Sequence, residues 1–81
     1  MPGPTAGWRR LSPSTELFVD PNTGARCVVR DTRGPGAERY SWTISAFGDH
    51  QVAAGRAGAL TEARSLAKGG LTEYIAALRR G

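Results

Sequence analysis

The chain reads as an α+β domain, a three- to four-stranded antiparallel sheet packed on one C-terminal helix, and two stretches of periodicity predict it. From Ala63 the apolar residues fall at Ala63, Leu66, Ala67, Gly70, Leu71, Tyr74, Ile75 and Leu78. That three-and-four spacing is the stripe of a helix with one buried face. Upstream, Tyr40, Trp42, Ile44 and Ala46 alternate with Arg39, Ser41, Thr43 and Ser45, the period of a half-buried strand. The predicted order is β-β-β-(β)-α.

Residues 1–7 hold two Pro and two Gly without periodicity, which predicts a disordered arm followed by a single domain over 8–81. Trp8, beside Arg9 and Arg10, is expected to fold back onto the core. Thr15 to Asp20 reads as a short strand, with Leu17 and Val19 on one face and Glu16, Phe18 and Asp20 on the other. Asp20-Pro21-Asn22-Thr23-Gly24 is a turn: Pro presets φ, the Asp and Asn side chains bond local backbone, and Gly24 accepts a positive φ. Ala25 to Asp31 is the return strand, its parity placing Cys27 and Val29 on one side and Arg26, Val28 and Arg30 on the other.

Thr32 to Glu38 contains Gly-Pro-Gly and must be a loop. Arg39 to Phe47 is the third strand, Gly48-Asp49-His50 a tight turn, and Gln51 to Ala54 a short edge strand. Gly55 to Gly58 then releases the chain into the helix, which caps at Thr61 or near Ala59, with Glu62 suited to the first turn. Arg79 and Arg80 suit its carbonyl end. Gly69-Gly70 either kinks the helix or marks its close approach to Trp42 or Tyr40; one unbroken helix is the favoured reading.

Eighty-one residues form one small domain, which buries only roughly 60% of its unfolded surface. One cysteine cannot staple it. The start has no signal-peptide core, and no stretch approaches the about 18 apolar residues of a membrane span. A soluble, cytoplasmic protein without membrane contact is expected. Eleven basic residues face seven acidic ones, a net charge of +4 that favours polyanions. Ten of the eleven are arginine, which fits a GC-rich genome and equally serves bidentate phosphate recognition.

The composition speaks against catalysis. There is one His and one Cys, Cys27 falls on the core parity, and the carboxylates are scattered without acid/base or metal spacing. No enzyme, cofactor, metal or small-molecule substrate is expected. Gly55-Arg56-Ala57-Gly58 lacks the Lys-Ser/Thr of a phosphate loop, although an anion could rest at the helix start beside Arg56.

If Leu17, Val19, Cys27, Val29, Tyr40, Trp42, Ile44 and Ala46 face the helix, the opposite sheet face carries Arg26, Arg30, Arg39, Ser41, Thr43 and Ser45, with Phe18 and Val28 among them, while Arg33 and Arg56 flank it from loops. Guanidiniums amid hydroxyls suit phosphate contact and groove reading, and an ordinary solvated face has the same composition. Arg26, Arg30, Arg33, Arg39, Thr43 and Arg56 are the candidate nucleic-acid-binding residues.

Trp42-Thr43-Ile44, then Gly48, Gly55 and Leu60-Thr61-Glu62-Ala63-Arg64, together resemble a recurring small-domain pattern spanning roughly residues 39–78. It is similar to the arm-type DNA-binding domains of tyrosine recombinases and to AP2-type domains. HicB-type antitoxins and double-stranded-RNA-binding domains end in a similar strand–Gly–helix segment. The Arg/Ala/Gly-rich composition also resembles short accessory proteins of actinobacteria and their phages. The resemblance implies a three-stranded sheet that reads DNA, with Arg26, Arg30, Arg39 and Thr43 toward it. The expectation is a small non-enzymatic accessory protein of phage type that binds nucleic acid. The alternative is a protein-interaction module, a modulator of a host protein or a homodimer, prompted by unpaired strand edges and an exposed Phe18 and Val28.

Overall fold

The computed structural model describes residues 7–34, 38–46 and 50–80. Five strands, β1 (Trp8–Ser12), β2 (Thr15–Val19), β3 (Arg26–Asp31), β4 (Tyr40–Ala46) and β5 (His50–Ala57), precede one helix, α1 (Leu60–Arg80). The strands form one antiparallel sheet in the order β1-β2-β3-β4-β5. The fold is α+β, with more strands than the sequence predicts. The expected N-terminal arm and the Gly-Pro-Gly and Gly48-Asp49 segments lie wholly or largely outside the described residues.

The turn between β2 and β3 forms for the predicted reasons. The Asp20 carboxylate accepts the Thr23 backbone N–H at 3.0 Å and its hydroxyl at 2.7 Å. Gly24 takes φ +77° and donates its N–H to the Asp20 carbonyl at 2.9 Å. β5 is longer than expected and absorbs Gly55, Arg56 and Ala57, assigned from sequence to a loop. Gly55 lies directly opposite Trp42, and a Cβ built there would stand 2.5 Å from the indole. Glycine is required because the Trp42 ring covers that stretch of β5. The ring's N–H is buried without an acceptor among the described residues, a desolvation cost of about 1–3 kcal/mol set against burial of the large ring.

The helix is continuous through Gly69 and Gly70. A Cβ on Gly70 would stand 2.6 Å from Cδ1 of Ile44, so this glycine is the point of closest approach to the sheet. Gly69 faces open space. At the helix start Ala63 N–H reaches the Ala59 carbonyl at 2.9 Å, and the Glu62 carboxylate accepts the Gly58 backbone N–H at 3.1 Å. The chain therefore enters the helix through Ala59, and Glu62 satisfies an N–H just ahead of the first turn.

The core joins Cys27, Val29 and Ile44 of the sheet to Ala63, Ala67 and Leu71 of the helix. The small side chains of Ala63 and Ala67 let α1 lie close against β3, β4 and β5. Trp8 folds back as expected, its ring centroid 5.7 Å from that of Phe18.

The sequence-based facing of β2 is corrected. Glu16 and Phe18, not Leu17 and Val19, point to the helix side: Glu16 pairs across the sheet with Val29, and Phe18 with Cys27. The cause is the reach of α1. The helix backbone packs on β3 to β5 and meets β2 through long side chains. Arg64 grips Glu16 at 2.7 Å, and the Lys68 ammonium lies 4.6 Å from the centre of the Phe18 ring. Arg10 adds a third bond to Glu16 at 3.2 Å. A carboxylate is thus stable on the inner face because two guanidiniums neutralise it.

Candidate nucleic-acid interface

With α1 on one side, the outward residues of the five strands form an uncovered face. Strand register arranges them in cross-strand rows. Thr15, Arg30, Ser41 and Arg56 form one row. Leu17, Val28, Thr43 and Ala54 form the next, extended by Arg9 of β1. Val19, Arg26, Ser45 and Gln51 form the third. Neighbouring strands stand about 4.8 Å apart and alternate residues along a strand about 6.7 Å. Arg30 and Arg56, two strands apart, are therefore roughly 10 Å from each other at the backbone, with Ser41 between them.

Among the described residues the face carries four arginines. Arg9, Arg30 and Arg56 are exposed and Arg26 is half-buried. Among the described residues no carboxylate occupies an outward strand position: Glu16 is turned inward, Asp20 sits in the turn, Asp31 closes β3 on the inward parity, Glu38 lies ahead of β4, and Glu62 and Glu73 lie on the helix. The resulting field is positive. Leu17, Val28 and Val19 give it an apolar strip; Val19 is 44% exposed. Gly7, Arg9, Leu17 and Val19 line a shallow depression of about 200 Å³ there.

Of the six sequence-predicted residues, the structure brings Arg26, Arg30, Thr43 and Arg56 together on this face. Arg56 belongs to β5 itself, not to a flanking loop. Arg39 and Arg33 are placed elsewhere. Arg39 precedes β4 and donates to both oxygens of Asp31 at 2.7 and 2.8 Å. Arg33, at φ +57°, follows β3 and gives its backbone N–H to the same carboxylate at 2.9 Å. The Arg39 guanidinium holds the Asp31 carboxyl below its ordinary value and its own proton is held more tightly in return. Arg39 is thus engaged by a local partner and less available to a polyanion. Phe18, expected on the open face, packs inward. Arg9 is the residue sequence reasoning missed, because the first strand carries no hydrophobic alternation to announce it.

The other chemical groups lead away from this face. Cys27 is fully buried, its thiol directed to the Ala67 carbonyl at 3.4 Å, and burial pushes it up to about 11. A thiol so placed is a core filler. His50 begins β5 in an exposed position, paired with Ala46 and apart from Cys27. No group of three or more metal-ligating side chains occurs among the described residues. A second depression of about 210 Å³, lined by Glu16, Asp31, Tyr40 and Leu60 among others, lies on the helix side, where arginines already hold both carboxylates. No described helix is long and apolar enough to cross a membrane. No protein family, curated protein or solved structure matches the chain.

Proposed function

We propose that the open sheet face binds nucleic acid, and that the protein is a small non-enzymatic accessory factor of phage type, as its resemblance to short actinobacterial and phage accessory proteins implies. The observation that carries this reading is the convergence of Arg9, Arg26, Arg30 and Arg56, from four positions scattered in sequence, on one face with no outward carboxylate among the described residues. Such a face attracts phosphates at long range and offers bidentate donors at contact. Ser41, Thr43 and Ser45 add hydroxyl donors between the guanidiniums. A cytoplasmic location, where a lone thiol stays reduced, goes with this role.

A salt titration tests it. If all four arginines meet phosphates, the logarithm of the binding constant for duplex DNA falls against the logarithm of salt with a slope between about −3 and −4. Absence of binding at low salt overturns the proposal.

A second reading, a protein-interaction module, draws on β5. This eight-residue edge strand has neither Pro nor Lys and has no neighbour beyond β4 among the described residues. Its register with β4 shifts once, opposite Ile44 and Ser45, and an edge of this length is still a template for strand addition by a partner or a second copy. A sedimentation coefficient that rises with concentration, without DNA, supports this reading.

A further inference from the structure

We infer that the open edge of β5 pairs with β5 of a second copy, antiparallel and centred on Gly55, so that two chains share one continuous sheet about a two-fold axis. The inference rests on the strand-addition reading above and names its partner.

The register of β5 sets the centre. Ala57 to Ala53 pair one for one with Tyr40 to Ile44, and the shift in register comes beyond them, between Ala53 and Gln51. A bulge of that kind interrupts pairing at an edge. The regular template is therefore the segment from Ala53 to Ala57, with Gly55 at its middle. Residues directly opposite each other in a sheet point to the same side. About an axis through Gly55, Ala53 stands opposite Ala57 of the second copy, Ala54 opposite Arg56, and Gly55 opposite itself. Every regular position finds a regular partner on its own side. The one charged residue of the segment, Arg56, meets a methyl group and not another guanidinium, so a chain of net charge +4 pairs here without like charges directly opposed.

The helix supplies a second match at the same axis. A helix turns about 100° per residue, which sets Leu66 roughly 200° round from Arg64 and roughly 160° from Lys68. Those two side chains reach toward β2, so Leu66 lies on the flank of α1 toward β5. It is 44% exposed. Leu60 shares a depression with Tyr40, the residue opposite Ala57. Gly70 meets Ile44 and Trp42, which lie opposite Ala53 and Gly55. Leu66, between these two points on the helix, stands near the level of Gly55. The axis that pairs the strands therefore turns two Leu66 side chains toward each other. The helix packs on β3, β4 and β5, so its axis runs near β4. The two β4 strands would be three strand spacings apart, about 14 Å, and a helix with its side chains is about 10–12 Å across. Leucine side chains close the gap that remains.

Trp42 supplies a third. Its half-buried ring lies over Gly55, beside the open edge. In the pair, the Trp42 ring of the second copy lies over the adjoining Gly55, and each indole covers the flank of the other. A strand from an unrelated protein would satisfy the β5 backbone, but only a second copy brings Leu66 and Trp42 to the axis together with it.

The experiment uses the full chain without nucleic acid. Sedimentation velocity from micromolar to millimolar concentration is expected to show a monomer–dimer equilibrium, weak because the interface is small. At the high concentration, hydrogen exchange is expected to slow at alternate amides between residues 53 and 57, those directed away from β4. Leu66→Glu, at an exposed position, places two carboxylates across the axis and is expected to weaken dimerisation by about tenfold or more. The hydrogen-exchange result on the parent chain stands whether or not that variant folds. A strict monomer overturns this inference and leaves strand addition by another protein standing. Polymers longer than a dimer do the same, since they require β5 to meet a different edge of the next copy. Dimers whose β5 amides exchange as fast as those of the monomer overturn both the inference and the strand-addition reading.

Discussion

The guanidinium of Arg64 and the carboxylate of Glu16, 48 residues apart in sequence, meet in a two-pronged ion pair with both N···O distances at 2.7 Å. The Glu16 side chain is 10% exposed and that of Arg64 20%. This pair ties the first turns of α1 to β2, which the helix backbone does not itself touch. Glu16→Ala leaves a largely buried guanidinium without its acceptor and is expected to destabilise the fold by about 2–4 kcal/mol. Urea denaturation of Glu16→Ala, Arg64→Ala and the double variant measures it. A double variant as unstable as the sum of the two singles would show that the pair contributes no coupling.

Gly69 and Gly70 are expected to respond in opposite directions to the same substitution. Gly69→Ala places a methyl in open space and gains helix propensity, raising stability by about 0.5–1 kcal/mol. Gly70→Ala forces Cδ1 of the fully buried Ile44 to move, and the overpacking cost of about 1–3 kcal/mol exceeds that gain. Melting temperatures of the two variants, compared with the parent, read the sign directly.

Cys27 makes stability fall in alkali. The unfolded chain loses this proton near the ordinary value of 9.0, whereas the folded chain keeps it to about 11 because burial penalises the thiolate. Below the lower value the thiol is protonated in both states and has no effect. Between the two values only the unfolded state ionises, so stability declines as pH rises, by up to about 2–3 kcal/mol. Denaturation midpoints across this range, for the parent and Cys27→Ala, isolate the contribution. A parent and variant that decline in parallel would assign the loss to other groups.

Arginines on and off the face are expected to separate in a salt titration. Removing Arg30 and Arg56 together lowers the steepness of the DNA-binding salt dependence by about 2. Arg39→Ala changes it little, since Arg39 already shares its charge with Asp31. Equal effects of the two substitutions would disperse the interface over the whole basic surface.

The parts of the fold that were legible in the sequence are those whose signal is local. The helix shows itself through a repeat contained in its own residues, and β4 through its alternation around Trp42 and Ile44. The turn at Asp20 to Gly24 is specified by its own side chains. β2 misleads because its facing is decided from afar. Leu17 and Val19 look like a core pair until Arg64 and Arg10 turn Glu16 inward. β1 is invisible for a related reason. Trp-Arg-Arg-Leu-Ser has no period of two, and it becomes a strand by pairing with β2, with an irregular register between Arg10 and Ser12. Three of the interface residues follow from strand parity. Arg56 was found with its setting mistaken, and Arg9 could be placed only once β1 was known.

The strand order also governs how the molecule comes into being. Each strand bonds to the one made just before it, so the sheet can assemble hairpin by hairpin with little loop entropy to overcome. The layer that seals it, α1, is synthesised after all five strands. Until then Cys27, Val29 and Ile44 stand bare on a nascent sheet, and a ribosome stalled near Gly58 would release a sticky, half-finished product that chaperones must shield or proteases destroy.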